Sequence, residues 1–234
     1  YKEVKKSKLL TTKDYVYSGL SFLLYPEIIK NLTGSDYENY LKQNFYYPLG
    51  AYTLTYNPLK MFDKSRIVPT ENDTFFRNQQ ICGTVHDEAA AVLGGVSGNA
   101  GLFGTTLDLA KLMQMYLNMG QYGGIQFISD TTLGEFTRYQ YPENENRRGL
   151  GFDKPMLKDK ENGHTAIDAS DKSFGHSGYT GTFVWADPEN GILFVFMSNR
   201  VYPTRNNSKI YEFNIRPAIQ QVLYDAVKKK EIRN

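Results

Sequence analysis

The sequence predicts an α+β fold in α/β/α layers, with helices flanking an antiparallel sheet. Three observations carry that expectation. Apolar residues fall at helical spacing in several segments before Gly120, a hairpin pattern occupies residues 182–197, and an amphipathic helix follows it. The order is helices and loops, then strands and a helix, with no βαβ array.

Taken in order, a basic stretch from Lys2 to Lys13 precedes the apolar segment Tyr15 to Leu32. There Leu20, Leu23, Leu24, Ile28 and Leu32 sit near helical spacing, Pro26 kinks or restarts the helix, and Gly34 ends it. Ser35-Asp36-Tyr37-Glu38 reads as a capping box for a second helix, with Tyr37, Leu41 and Phe45 on one face and Pro48-Leu49-Gly50 closing it. Residues 51–82 show no sustained period and read as a long surface-wrapping loop, a kind of segment usually functional or covered by a partner. Five glycines (Gly94, Gly95, Gly98, Gly101 and Gly104) follow, and Thr105 then caps a helix whose apolar face is Leu109, Leu112, Met113, Tyr116 and Leu117. Gly120 ends that helix, and a short one follows Ser129.

From Arg148 the pattern turns to strands. Thr182–Trp185 and Ile192–Met197 flank Asp187-Pro188-Glu189-Asn190-Gly191, and the unbroken apolar second strand implies burial on both faces. Pro217 can serve as the first residue of a final helix with the stripe Ile219, Val222, Leu223, Ala226 and Val227. Lys228, Lys229 and Lys230 complement its C-terminal dipole.

Composition narrows the functional classes. At 234 residues, 41% hydrophobic and 22% charged, the chain reads as one globular domain over 1–234 with enough apolar residues for a core. Disorder and a coiled coil are excluded on the same ground. No apolar run approaches the ~20 residues of a membrane-spanning helix. Twenty-seven basic against 25 acidic residues leave +2, too little for an electrostatic nucleic-acid footprint. The single cysteine, Cys82, excludes an internal disulfide and a cysteine-based metal site. The chain opens Tyr1-Lys2-Glu3-Val4, with neither an initiator Met nor a signal-peptide pattern.

Three segments carry candidate chemistry. The first is Tyr17-Ser18-Gly19. The second is Val85-His86-Asp87-Glu88, followed by Ser97-Gly98-Asn99-Ala100-Gly101-Leu102-Phe103. Consecutive metal-capable side chains seldom converge on one ion, so Asp87 is expected to bond backbone amides in a capped loop. The glycines match neither a phosphate-cradling loop nor a dinucleotide fingerprint. The third is Phe174-Gly175-His176-Ser177-Gly178-Tyr179 before the hairpin. With Tyr179 at its fifth position it lacks the Gly-x-Ser-x-Gly turn of α/β-hydrolases, as does Gly95-Val96-Ser97-Gly98-Asn99.

Together and in order, these segments resemble the serine hydrolases of the class C β-lactamase and penicillin-binding-protein family. That family uses Ser-x-x-Lys, then Tyr-x-Asn, then Lys-Thr-Gly or His-x-Gly on a central strand. Tyr17-Ser18-Gly19 is similar to the second motif and His176-Ser177-Gly178 to the third. Val85-His86-Asp87, Ala100–Phe103, Asp187-Pro188-Glu189 and Ser198–Pro203 resemble the esterase and peptidase-like members. The resemblance runs from about residue 10 to about residue 228. It implies a β-lactamase/transpeptidase-like fold.

Acyl transfer needs an activated hydroxyl, a base and donors aimed at the developing oxyanion. The resemblance implies Tyr17 as the base, its ordinary pKa of ~10 lowered by neighbouring cations, since burial alone raises it. It implies His176 in place of the third-motif lysine, and a neutral imidazole there leaves more of the cationic field to the Ser-x-x-Lys lysine. Ser177 would bond a substrate carboxylate or carbonyl, and the backbone N–H of Tyr179 would be an oxyanion donor. Gly178 leaves room for the acyl group. Gly19 occupies the substrate-positioning place where the family has Asn or Asp.

No serine or threonine here has a lysine three positions later. The expectation is therefore an N-terminally truncated single domain whose Ser-x-x-Lys nucleophile lies upstream of Tyr1, the fragment alone being inactive. Implied substrates are small esters, β-lactams or D-amino-acid peptides, with no metal or organic cofactor. The missing N-terminal segment of the same protein is the implied partner, and a periplasmic or cell-surface location is implied by the family. The alternative is a non-catalytic module binding peptide or glycan, which Gly19 favours.

Overall fold

The structure is a computed structural model describing residues 1–12 and 15–231, the side chains of 230 and 231 apart. Lys13, within the predicted basic stretch, and the Lys230 side chain lie outside the described residues. The chain forms two compact units, Tyr1–Asp108 with Tyr202–Thr204, and Leu109–Val201 with Arg205–Asn234.

In the first unit, helix α1 (Lys2–Lys6) is tied by Lys5 to Glu27 at 2.8 Å. Residues 15–18 are irregular, a 3₁₀ turn covers Phe22–Leu24, and helix α2 spans Tyr25–Thr33. Pro26 thus restarts the helix as expected, whereas the helical spacing that begins at Tyr15 forms no helix before Phe22. Proline fits the first turn, where its missing N–H is not needed. Gly34 ends α2 at φ 76°, the left-handed conformation that glycine adopts without a Cβ penalty.

Helix α3 (Tyr37–Leu41) continues into a π-helical turn at Lys42–Tyr46. The expected capping box does not form. Asp36 is the N-cap, its carboxylate goes to Lys30, and Glu38 accepts from Thr55 and the Tyr56 N–H. Residues 51–82 are likewise not a surface loop. Ala51, Leu54 and Tyr56 are buried, and strands β1 (Glu71–Asp73) and β2 (Gln79–Ile81) pair as an antiparallel hairpin. Apart from Ile81 these strands are built from Glu, Asn, Asp and Gln, so no apolar alternation announces them.

Helix α4 (Glu88–Val92) begins where Asp87 accepts the Ala90 N–H at 2.7 Å, the capping expected of that residue. Helix α5 (Thr106–Leu117) follows, with the Thr105 hydroxyl accepting the Asp108 N–H.

In the second unit, the apolar side chains of α5 from Leu109 onward meet the central sheet. Strands β3 (Gln121–Tyr122) and β4 (Ile125–Gln126) form a small hairpin, and Ser129 caps helix α6 (Asp130–Thr137) through the Thr132 N–H. The main sheet is antiparallel in the order β5 (Phe174–Ser177), β6 (Phe183–Asp187), β7 (Ile192–Phe196). Alternation sorts its side chains into two cores. Phe174, Val184, Ala186 and Leu193 pack with Leu109, Met113 and Tyr116 of α5 on one face. Phe183, Trp185 and Phe194 stack on the other, where Ile192 meets Tyr224. Strand β7 therefore has cover on both faces, as its composition implies, although Leu193, Val195 and Phe196 are only half-buried.

Helix α7 (Lys209–Glu212) leads into α8 (Ile215–Glu231), so Pro217 is its third residue rather than its first. The expected apolar stripe is also corrected, apart from Val227, which packs against Ala166, Ala169, Ile192 and Tyr224. Ile219, Val222 and Leu223 are exposed, whereas Arg216, Gln220 and Tyr224 are buried. Each of the three finds a partner inside, although Gln220 Nε2 has no hydrogen bond there. Gln220 Oε1 accepts the Ala166 N–H, Tyr224 donates to Asp187, and the Arg216 guanidinium lies over Phe183 and Tyr211. Specific partners, not apolarity, decide which face turns inward.

Candidate active site

The motif at the end of β5 is built by a strand with both edges engaged. On one side Gly175 pairs with Trp185 and His176 with Val184. On the other, Gly175 exchanges both backbone bonds with Asp153, at 2.7 and 3.0 Å. A Cβ at Gly175 would lie 2.0 Å from the Val184 carbonyl oxygen, so only glycine lets these backbones approach.

The pleat puts His176 on the Phe174 face and Ser177 on the Trp185 face. His176 Nδ1 lies 2.8 Å from the Ser177 carbonyl oxygen, and Nε2 lies 3.2 Å from Arg148 Nη1. A carbonyl only accepts and a guanidinium only donates. The ring must then carry its proton on Nδ1 and a lone pair on Nε2. Burial pushes the imidazole below its ordinary pKa and the Arg148 charge adds to this, against the Ser177 carbonyl.

Arg148 is anchored in turn. Asp153, 2% exposed, receives Arg147 Nε at 2.8 Å and Nη2 at 3.2 Å. Arg148 Nη1 approaches it at 3.3 Å and His164 Nε2 at 3.2 Å. Burial alone would raise the Asp153 pKa, but His164 and Arg147 hold it well below the usual carboxylate range.

Beyond β5 the chain turns sharply. The Gly178 N–H donates to Thr182 O at 2.8 Å and the Gly181 N–H to Gly178 O at 3.0 Å. The segment after β7 clamps this turn. Ser198 Oγ donates to Gly181 O at 2.8 Å, the Arg200 N–H to Thr180 O at 2.8 Å, and Arg200 Nε to Tyr179 O at 2.9 Å. The Arg200 guanidinium also lies over the Tyr179 and Tyr211 rings, 4.6 and 5.1 Å from their centroids. The peptide planes around Tyr179 are thus held from outside the motif.

Tyr17 and Gly19 belong to the first unit. Tyr17 is 61% exposed, and the Leu20 N–H donates to Ser18 Oγ. A Cβ at Gly19 would lie 3.7 Å from Asn99 Cβ and Nδ2, so the glycine-rich loop presents an amide beside this position. Asn99 Oδ1 accepts from Ser97 Oγ at 2.6 Å. A Cβ at Gly98 would meet the Phe22 carbonyl oxygen at 2.4 Å, so the loop packs directly on the 19–24 segment. The sequence motifs include Asn99 and Arg200 but assign neither a role, and they do not reach Arg147, Arg148 or Asp153. The Arg148–Gly151 stretch before the strands was the available signal.

His86 does not face a metal cluster. Its Nε2 lies 2.6 Å from Glu71 Oε2 on β1, and Arg77 donates to the Val85 and His86 carbonyls. No group of three His, Cys, Asp or Glu side chains suited to a metal occurs among the described residues. No helix among them is long and apolar enough to cross a membrane.

An antiparallel sheet between helices, with a His-Ser-Gly strand end opening into a clamped turn, defines the β-lactamase/transpeptidase-like class. The chain belongs to the β-lactamase family, whose profile matches residues 8–214. It is 34% identical over 214 residues to a Salmonella enteritidis protein provisionally named a D-alanyl-D-alanine carboxypeptidase, covering 84% of this chain and 48% of that one. The chain thus spans about half the length of the curated relatives it matches. Among solved structures, a β-lactamase from Mycobacterium bovis aligns with TM-score 0.60 and 20% identity, covering 92% of this chain and 65% of the other. A mutant of the simvastatin synthase LovD from Aspergillus terreus aligns with TM-score 0.64 and 15% identity, covering 93% and 56%. Both likenesses concern the fold.

Proposed function

We propose that the chain is part of one serine hydrolase domain that acts through an acyl-serine intermediate on esters, amides, β-lactams or D-amino-acid peptides. The nucleophilic Ser-x-x-Lys motif would be supplied by sequence outside these residues. The observation that carries the reading is the end of β5, where Gly175 lets the strands approach, His176 lies between Arg148 and the Ser177 carbonyl, and the turn at Gly178–Gly181 is clamped. Membership of the β-lactamase family supports it. So does the provisional carboxypeptidase name of the Salmonella relative.

In this reading Tyr17 takes the proton of the serine hydroxyl as its Oγ bonds to the carbonyl carbon. That proton goes to the departing alcohol or amine as its bond to the carbonyl carbon breaks. A water then repeats the sequence, its proton returning to the serine as the acid leaves. The Tyr179 N–H meets the developing oxyanion, Ser177 bonds the substrate, and Gly178 leaves space for the acyl group. The site would act in the periplasm or at the cell surface.

The test is covalent labelling of the full-length protein by a fluorophosphonate or penicillin probe. Labelling, together with loss of turnover in Tyr17→Phe, is expected. A full-length protein that contains Ser-x-x-Lys and takes up neither probe would overturn the reading. Gly19 favours the second reading, a non-catalytic module that binds peptide or glycan, and that outcome would leave it standing.

A further inference from the structure

We propose that Arg148 is the positioning residue of the β5 motif. Anchored on the buried Asp153, it fixes His176 as the neutral Nδ1–H tautomer and brings to this strand end the positive charge that His176 does not carry. The placement of that charge in a hydrolytic site rests on the function proposed above. The control of His176 does not.

The argument begins with hydrogen-bond direction. Arg148 offers only donors, so a ring nitrogen 3.2 Å from Nη1 must offer a lone pair. The opposite nitrogen faces the Ser177 carbonyl oxygen at 2.8 Å, which only accepts. A second proton on the ring would set N–H against N–H and place two positive charges in contact, a cost that burial increases.

The groups acting on His176 pull in both directions. Arg148 opposes its protonation, as does the more distant His164, whereas Asp153 and the Ser177 carbonyl favour it. The Asp153 carboxylate, however, is already shared among Arg147, Arg148 and His164, so little of its charge is left for His176. Arg147 holds Asp153 through two nitrogens, while one Arg148 nitrogen, Nη1, lies between Asp153 and the His176 ring. The two adjacent arginines therefore divide the work. One neutralises the carboxylate, and the other carries charge to the strand.

The experiment is nitrogen and carbon NMR of histidine-labelled full-length protein, with the His176 signal assigned from a His176→Gln variant. In the unmutated protein the two-bond ¹⁵N–¹H pattern should show Nδ1–H at neutral pH. An Nε2–H or doubly protonated ring would overturn the proposal without recourse to any Arg148 variant. In Arg148→Gln, the His176 midpoint should rise by about one pH unit, because a neighbouring positive charge that disfavours the charged ring is removed. Arg148→Lys, which keeps a cationic donor, should retain the low midpoint. An unchanged midpoint in Arg148→Gln would remove Arg148 from the role. Probe labelling of the same protein is read separately, so an inactive protein with an Arg148-dependent His176 would refute the hydrolase alone.

Discussion

Replacing Lys154 by methionine isolates the cost of burying one ammonium. Lys154 is 1% exposed, with its Nζ donating to Ser173 O at 2.9 Å and 4.7 Å from the Tyr139 ring centroid. Burial lowers its pKa from 10.5 to about 8, only partly opposed by Asp171 and Asp187. The folded chain therefore releases this proton near pH 8 and the unfolded chain near 10.5. Between those values the unfolded state binds more protons, so stability rises with pH. The gap corresponds to about 3 kcal/mol, a penalty fully present below pH 8 and gone above 10.5. Methionine fills similar space without the charge but leaves the Ser173 carbonyl without this donor, a loss of about 1 kcal/mol. Lys154→Met should therefore be more stable than the parent by about 2 kcal/mol at pH 7, and slightly less stable near pH 10.5. Urea unfolding followed by the fluorescence of Trp185, the only tryptophan, reads this unit at each pH. Other titrating groups cancel in the difference between the two proteins. A difference that does not change with pH would refute the reasoning.

Asp187 and Arg200 give further expectations. The Asp187 carboxylate is fully buried and accepts from the Ser170 N–H and hydroxyl, the Glu189 and Asn190 N–H groups, the Asn190 amide and the Tyr224 hydroxyl. Asp187→Ala should cost about 3–5 kcal/mol in equilibrium unfolding, and a cost below about 1 kcal/mol would show these bonds to be replaceable by water. Burial alone would raise the Asp187 pKa, but its donors hold it lower. Its share of stability is thus present above the usual carboxylate range and lost as pH falls through the lower folded value. Arg200→Ala should speed hydrogen exchange of the Gly181 amide by about tenfold or more while leaving Val184 protected, and equal protection in both proteins would remove Arg200 as the clamp.

The sheet and α5 were legible because their signals are local. Asp187–Gly191 marks its own turn between apolar runs, and Thr105 and Gly120 bracket a periodic face. The buried side of α8 was not legible. Arg216, Gln220 and Tyr224 turn inward only because Phe183, Ala166 and Asp187 wait for them, and those partners are distant in sequence. Strands β1 and β2 escaped for a related reason. They are held by backbone pairing and by Glu71 and Asp73, whose burial no hydropathy pattern shows. In the candidate site, the His-Ser-Gly motif named its own strand, but the arginines that govern it carry no motif. Their role follows from Asp153 pairing with Gly175, a bridge visible only after folding.

The clamp on the turn after β5 has a consequence for how this stretch of chain can vary in evolution. Strands β6 and β7 leave the turn at Phe183 and return to it at Phe196, paired residue for residue up to Asp187 and Ile192. Ser198 and Arg200 reach Gly181, Thr180 and Tyr179 only because the outward and returning arms are equally long. Losing one residue from either arm would invert the alternation and carry Arg200 out of reach. Extra residues at the tip must also preserve the Asp187 bonds to Glu189 and Asn190. This hairpin is a ruler of fixed length, and the shape of the turn that follows His176 and Ser177 is inherited from it.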